Sequence, residues 1–204
     1  MADLKKEIPR KVFHIISGLS FLLIFEFFGK NGLIFVSILG IVVGVGVFYF
    51  RIRNSFTEIL WFFIDKMERD FNLESFPGRQ AVGTFIGILI SAILFNEQVL
   101  KVAIITYSVY DGFATIFGLL FGKHKISIGK IKLKKSYEGF IGGVIVNTIA
   151  LLFIVPFKEA FLFSLIGGIS ELFTSSKRLY LDDNIIVPVF TGIFAQFIYP
   201  NLTF

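Results

Sequence analysis

The stretch Asp111–Gly139 reads DGFATIFGLLFGKHKISIGKIKLKKSYEG, and the organisation of the chain follows from it. It begins with a carboxylate, Asp111, inside an apolar run, and it leaves that run through Gly118 and Gly122. Six lysines follow within thirteen residues before apolar sequence resumes. An acid in an apolar run, a basic loop and a helix start in one connection indicate a functional site.

The composition indicates an integral membrane protein. Of the 204 residues, 55% are hydrophobic and 28 are Phe, and the mean hydropathy is +0.80. Soluble domains are nearer to about 45–50% apolar. The first apolar run lacks a small-residue cleavage site, so no signal peptide is expected. The absence of cysteine excludes disulfides and thiolate chemistry.

Apolar runs predict an all-α membrane protein with about seven transmembrane helices in a single domain, 1–204. A segment after the second run, Ser55–Phe71, predicts an amphipathic interfacial helix with Trp61 near the headgroups. Alternating apolar residues around Gly129 predict a short cytoplasmic β-hairpin. Arrangements with six or eight spans stay open if the sixth is re-entrant. The approximate spans are 12–28, 32–50, 82–95, 99–121, 140–157, 159–174 and 185–200.

Basic residues are distributed unevenly between the two sides of this arrangement. Seventeen of the 20 Lys and Arg residues fall on the side of the N-terminus, and the other side has Lys30, Lys101 and Lys158. Cytoplasmic loops carry such an excess. The distribution predicts a multi-pass protein of the cell membrane with a cytoplasmic N-terminus. It also explains the net charge of +5 without a nucleic-acid partner.

Asp111 is the strongest candidate for a functional residue. Counting ~1.5 Å per residue back from Gly122, it lies ~15 Å inside the fourth span. An unpaired charge there would cost at least ~2.5 kcal/mol, so we expect Asp111 to face the bundle and a cation. His14 lies inside the first span, where helical spacing places it on one face with Lys11 and Gly18. Gly18 is expected to admit a close neighbouring helix.

Other polar residues at the span ends have both functional and simpler interpretations. Arg79 at a helix start is suited to bind an anion or to lie at the membrane interface. The hairpin lysines are suited to phosphates or to anionic lipid. Ser136 and Glu138 are suited to a site or to capping a helix. Gly118 and Gly122 are suited to close helix packing.

Two adjacent carboxylates, Asp182 and Asp183, precede the seventh span. They can cap that helix or hold a hard cation, because Mg²⁺ takes one or two carboxylates together with phosphate oxygens. A nucleotide with Mg²⁺ from the cytosol would then meet a lipid from the bilayer. Phosphoryl transfer needs mainly positioning and charge neutralisation, for which Lys, Arg and Mg²⁺ are suited.

Four motifs, in this order, resemble the CTP-dependent polyprenol and dolichol kinase family, which includes phytol kinases and CTP-dependent diacylglycerol kinases. The family is also similar to phosphatidate cytidylyltransferases. The resemblance implies transfer of the γ-phosphate of CTP to the hydroxyl of a membrane lipid alcohol, with Mg²⁺. The motifs are E-x-x-R-K-x-x-H-x-x-x-G from Glu7 to Gly18, D-G-x-A-x-x-x-G-x-x-x-G-K from Asp111 to Lys123, K-S-x-E-G from Lys135 to Gly139, and D-N-x-x-x-P from Asp183 to Pro188.

Together with the positions above, the resemblance assigns roles to individual residues. Asp111 and His14 are the catalytic candidates, and either is suited to orient or deprotonate the lipid hydroxyl. The candidate metal ligands are Asp111, Asp182, Asp183 and Glu138. The candidate nucleotide-binding residues are Arg10, Lys11, Arg79, Gly118, Gly122, Lys123, Lys135, Ser136, Glu138 and Gly139.

The sequence leaves other functions open. The predicted acceptor is an isoprenoid alcohol such as polyprenol, dolichol, geranylgeraniol or phytol, but a diacylglycerol kinase or a cytidylyltransferase that makes a CDP-lipid stays possible. A small transporter or flippase would use Asp111 and His14 as a proton relay, although no inverted repeat is visible. A purely structural protein would leave the polar clusters unexplained. Small-residue helix faces are compatible with a homodimer.

Overall fold

The computed structural model describes residues 2–68, 73, 76–128, 131–174 and 179–198, which form helices joined by short turns and a two-stranded hairpin. This confirms the predicted all-α class with a β-hairpin. The helices are α1 Ala2–Gly44, α2 Glu58–Met67, α3 Arg79–Leu94, α4 Glu97–Ile105, α5 Asp111–Phe121, α6 Tyr137–Leu151, α7 Phe157–Leu172 and α8 Asp183–Ile198; the strands are β1 Lys125–Ile128 and β2 Ile131–Ser136.

The first helix, α1, reverses direction at Gly29. This glycine has φ +67° and ψ −172°, a backbone conformation that residues with a Cβ rarely adopt. Phe21 packs edge-to-face on Phe85 of α3, and a Cβ built on Gly40 would also meet the Phe85 ring. A straight helix would place Phe21 and Gly40 roughly 28 Å apart. The two arms of α1 therefore lie side by side against α3.

Two of the described helical segments are long and apolar enough to cross a membrane. They are Glu7–Tyr49, which contains the reversal, and Glu97–Phe121, which joins α4 to α5 through a π-helical turn at Thr106–Tyr110. The apolar helices α3, α6 and α8 have 15 or 16 residues. At ~1.5 Å per residue such helices are about 24 Å long, less than a bilayer core of ~30 Å. Length alone therefore identifies fewer crossings than the seven predicted.

The predicted amphipathic helix is present as α2, but its tryptophan faces the protein. Trp61 is 4% exposed and packs edge-to-face on Phe48, with the ring centroids 5.3 Å apart. Its Nε1–H donates to the carbonyl of Ile52 at 2.8 Å, and this partner permits burial of the indole. The Trp61 ring therefore packs inside the protein and does not project outwards from α2. The outer face of α2 instead exposes Ile59 and Phe62.

The hairpin follows α5 and leads into α6. Its strands are antiparallel, with Lys125 opposite Ser136 and Ile128 opposite Ile131. The turn predicted at Gly129 lies outside the described residues. The hairpin carries the chain from the end of α5 back to the start of α6, so that these two helices pack against each other.

Helices α3 and α8 approach each other closely at Gly87. A Cβ built there would lie 2.1 Å from the backbone oxygen of Asn184, at the start of α8. We expect Gly87→Ala to lower the free energy of unfolding by about 1–3 kcal/mol, because overpacking against backbone forces the two helices apart. Denaturant unfolding of the detergent-solubilised protein measures this change.

Gly46 provides the control for Gly87. No atom lies within 4 Å of a Cβ built on Gly46. Gly46→Ala should therefore not lower the free energy of unfolding, and the better helix propensity of Ala should raise it by roughly 0.5–1 kcal/mol. Equal losses of stability in the two variants would show that the α3–α8 contact is not as close as described.

Candidate functional site

Asp111 and Lys11 form a buried ion pair between α5 and α1. Lys11 is 2% exposed and Asp111 is 1% exposed, and the Lys11 Nζ donates to Asp111 Oδ2. The expectation that Asp111 faces the bundle and a cation is confirmed. Two charges removed from water in this way are stable only as a pair, since breaking a buried pair costs about 3–5 kcal/mol.

Two glycines allow the helices that carry this pair to meet. A Cβ on Gly18 of α1 would lie 2.2 Å from Ser108 Oγ, and a Cβ on Gly112 of α5 would lie 2.3 Å from Ile15. A larger residue at either position would separate α1 from the α4–α5 segment. The predicted close approach at Gly18 is therefore confirmed, and it brings Lys11 within reach of Asp111.

His14 contacts both Asp111 and Tyr107. Tyr107 precedes Asp111 by one helical turn. The Nε2 atom of His14 is 3.3 Å from Asp111 Oδ2 and 3.3 Å from the Tyr107 carbonyl oxygen. Its Nδ1 atom is 3.3 Å from the Tyr107 hydroxyl, which in turn lies 2.8 Å from Thr84 Oγ1. The Thr84 hydroxyl donates to the carbonyl of Gln80 at 3.0 Å. This chain of hydroxyls fixes the imidazole plane and directs Nε2 towards Asp111.

Gln80 links three helices beside this cluster. Arg10 donates to Gln80 Oε1 at 3.2 Å, and Asn184 Nδ2 donates to the Gln80 carbonyl at 3.3 Å. The backbone N–H of Asn184 is 3.1 Å from both Asp182 Oδ1 and Asp183 Oδ1. Asp182 thus caps α8, as the simpler interpretation of the sequence held. Tyr107 and Gln80 were not among the predicted site residues, because nothing in their local sequence distinguishes them from packing residues.

Lys135 and Glu171 form a second ion pair, between β2 and α7. The Glu171 side chain is 2% exposed and the Lys135 side chain is 32% exposed. Burial lowers the pKa of Lys135, but the carboxylates of Glu171, Asp111 and Asp183 outweigh it and hold the pKa above its ordinary value. Lys135 therefore interacts with the carboxylates of the first cluster as well as with its direct partner.

The candidate glycines and Ser136 lie where α5 packs on α6. A Cβ on Gly139 would be 2.5 Å from the Ala114 carbonyl oxygen, and a Cβ on Gly122 would be 2.7 Å from Ser136 Oγ. A Cβ on Gly118 would also meet Ser136 Oγ, at 3.3 Å. Ser136 Oγ accepts from the Gly139 N–H at 3.2 Å and so caps α6. The structure gives these residues packing and capping contacts.

Glu138 and Lys123 lie outside the charged cluster. The N–H of His124 donates to Glu138 Oε1 at 3.1 Å, and the His124 ring is 2.7 Å from the same oxygen. Hydrogen bonds from its own backbone and from His124 lower the pKa of Glu138 to about 2. Lys123 is exposed after the end of α5. The structure does not place Glu138 beside Asp111, as its assignment to the metal site required.

Carboxylate oxygens at the start of α8 and in α5 have the donor chemistry that Mg²⁺ prefers. Asp111 Oδ1 and Asp182 Oδ2 are buried and make no hydrogen bond within the described part of the chain. Burial and Asp183 raise the pKa of Asp182 to about 8, against an opposing effect of Arg79. Among the described residues no group of three or more acidic or His side chains could hold a metal. Mg²⁺ commonly uses only one or two carboxylates with substrate phosphates.

A cavity of about 220 Å³ lies beside His14, between α1, α2, α3 and the start of α8. Its polar lining is next to the ion pair, whereas Ser17 and Phe21 line it one and two turns further along α1. The sequence did not predict this cavity, because its walls come from segments far apart in the chain. The polar lining includes Arg10, Lys11, His14, Asp183 and Asn184, and the apolar lining includes Phe13, Phe21, Phe63, Ile64 and Phe85.

This arrangement pairs buried cations with carboxylates and holds an imidazole next to them. The ion pairs are Lys11–Asp111 and Lys135–Glu171, and His14 contacts Asp111 and lines the cavity. No protein-family model, curated protein or solved structure matches the chain. The functional assignment therefore depends on this geometry and on the motifs in the sequence.

Proposed function

We propose that the protein is a CTP-dependent, Mg²⁺-dependent kinase of a membrane isoprenoid alcohol, which produces the lipid monophosphate and CDP. The contact of Lys11, Asp111 and His14, buried in an apolar bundle, carries this proposal. Burying such charges has an effective cost of several kcal/mol for each ion. Ionisable residues inside membrane proteins mark functional sites by default. The four sequence motifs support the same assignment.

Arg10, Lys11 and Lys135 are the proposed contacts of the triphosphate. Each of them is paired with a carboxylate: Glu7, Asp111 and Glu171, respectively. Phosphate oxygens accept the same charge-assisted hydrogen bonds as carboxylates do. A bound triphosphate can therefore take over these cations, and Asp111, released from Lys11, is then suited to Mg²⁺.

Asp111 and Asp183 are the proposed Mg²⁺ ligands, with Asp182 behind them as the cap of α8. When bound, Mg²⁺ neutralises charge on the transferred phosphoryl group. His14 is proposed to orient or deprotonate the lipid hydroxyl, since its ring is held by Tyr107 and borders the cavity. A general base needs such hydrogen-bonding reach before its pKa becomes relevant.

The proposal includes a seven-span topology with the site on the cytoplasmic side. Its support is the separation of charges along α3: Arg10 contacts Gln80 at the start of that helix, whereas Lys30 donates to the Phe95 carbonyl beyond its end, at 2.8 Å. The two arms of the apolar segment Glu7–Tyr49, on either side of Gly29, are also each about 30 Å long, enough for one crossing. In the shorter helices, flanking residues would complete the spans.

A transfer assay with γ-labelled CTP tests the proposal. Purified protein in detergent, with Mg²⁺ and geranylgeraniol or a polyprenol, should move the label into the lipid fraction. Label in pyrophosphate, with formation of a CDP-lipid, would instead identify a cytidylyltransferase. Diacylglycerol labelled in preference to the isoprenoid alcohols would correct the acceptor, and absence of label from all lipids would reject the kinase.

A further inference from the structure

The cavity beside His14 is too small to enclose a whole substrate. Its volume is about 220 Å³, whereas pockets that enclose drug-sized ligands have roughly 300–1,000 Å³. It has an ionisable lining at one end and aromatic rings around the rest. A molecule that enters it therefore places only one end inside, and that end carries a polar group followed by apolar carbon.

The apolar lining does not suit a nucleotide triphosphate. Phe13 stacks on Phe63 with the ring centroids 5.5 Å apart, and Phe21 meets Phe85 edge-to-face at 5.4 Å. These rings offer no hydrogen-bond donors to phosphate oxygens that have left water, and burial of an unpaired charge is strongly unfavourable. A hydrocarbon chain, in contrast, has no polar group to dehydrate when it enters between these rings.

The wall between the cavity and the outer surface is formed by the stacked rings of Phe13 and Phe63. Each of these residues lines the cavity and is also 39% exposed. The surface next to them is apolar, with Ile16 on α1 and Ile59 and Phe62 on α2 all more than half exposed. A hydrocarbon chain that leaves the cavity between α1 and α2 would therefore continue over an apolar surface of the kind that contacts membrane lipid.

We infer that this cavity binds the hydroxyl end of the acceptor lipid, which enters sideways from the bilayer between α1 and α2, past Phe13 and Phe63. The inference rests on the proposed kinase function. The first carbons of the chain lie against Phe21 and Phe85. The hydroxyl lies at His14, next to the Lys11–Asp111 pair that is the proposed phosphate contact.

Ser17 and Ser20 provide a matched pair of variants. The Ser17 hydroxyl donates to the His14 carbonyl at 3.0 Å, and the Ser20 hydroxyl donates to the Ser17 carbonyl at 2.6 Å. Ser17 lines the cavity, whereas Ser20 is exposed one turn further along. Ser17→Phe should raise the KM for geranylgeraniol at least 10-fold without changing the KM for CTP, and Ser20→Phe should leave both constants unchanged. An unchanged lipid KM in folded Ser17→Phe would overturn the inference.

Photolabelling gives a readout that does not need kinase activity. A diazirine analogue of geranylgeraniol should label α1 and α2 around Phe13 and Phe63, and Ser17→Phe should reduce this labelling at least 10-fold. Labelling there without phosphorylation would reject the kinase and keep the lipid site. Phosphorylation with labelling elsewhere would reject the site and keep the kinase. If Ser17→Phe does not fold, Phe63→Trp takes its place, with the exposed Phe62→Trp as its control.

Discussion

Asp111→Asn is expected to lower CTP-dependent lipid phosphorylation by about 10²–10⁴-fold, the range typical for loss of a group that positions or transfers a proton. The amide has the shape of the carboxylate but neither accepts a proton nor carries a charge for Lys11 or a metal. The initial rate of label transfer from γ-labelled CTP to lipid, at saturating substrates, measures the loss. Asp65→Asn is the control, because Asp65 lies on α2 in an exposed pair with Arg53 and should keep full activity.

The loss of activity in Asp111→Asn has to be separated from a loss of fold. The variant leaves Lys11 buried without a counter-charge, which costs about 3–5 kcal/mol. Lys11→Met combined with Asp111→Asn removes both charges and should recover much of that stability. The double variant also lacks the proposed phosphate contact Lys11, so it tests stability alone. An inactive but folded Asp111→Asn would agree with a chemical role of Asp111, and full activity in folded Asp111→Asn would exclude one.

Lys135→Met should destabilise the protein more than Glu171→Gln does. Without Lys135, the Glu171 carboxylate remains in a site where it is 2% exposed, and loss of one partner of a buried pair costs about 3–5 kcal/mol. Without the Glu171 charge, the 32% exposed Lys135 side chain can turn to water, so the cost should be nearer to about 1 kcal/mol. Denaturant unfolding in detergent, without nucleotide, measures both changes.

The double variant Lys135→Met with Glu171→Gln closes this cycle. If the two side chains interact directly, its loss of stability should be smaller than the sum of the two single losses, as is general for residues in contact. Additive losses would show that the pair is not formed. Equal losses in the two single variants would show that Lys135 is as inaccessible to water as Glu171.

The sequence predicted which side chains share a helix face better than it predicted which residues of different helices contact each other. Helical spacing placed Lys11, His14 and Gly18 on one face, and the cost of a charge in a span required a cation for Asp111. Both expectations are confirmed. Nothing local to Asp111 identified Lys11 as that cation, because the pairing depends on how α1 packs against α5.

The same limit explains why the contacts of two further residues could not be predicted. Trp61 is a typical interface residue by type, but the carbonyl of Ile52 gives its N–H a partner inside the protein. Glu138 follows Lys135 closely in the chain, yet the start of α6 turns its side chain towards His124. The cavity combines residues of several helices, and no periodicity within one segment contains that information.

The π-helical turn at Thr106–Tyr110 determines how the side chains that follow it in the helix are oriented around the helix axis. One residue more or less in a helix turns all later side chains by about 100° around its axis. The ion pair of Asp111 and the packing of Gly118 on Gly139 both depend on this orientation. A one-residue deletion in this turn would therefore rotate the acid and the glycine face together, whereas a substitution in the turn changes only the contacts of one side chain.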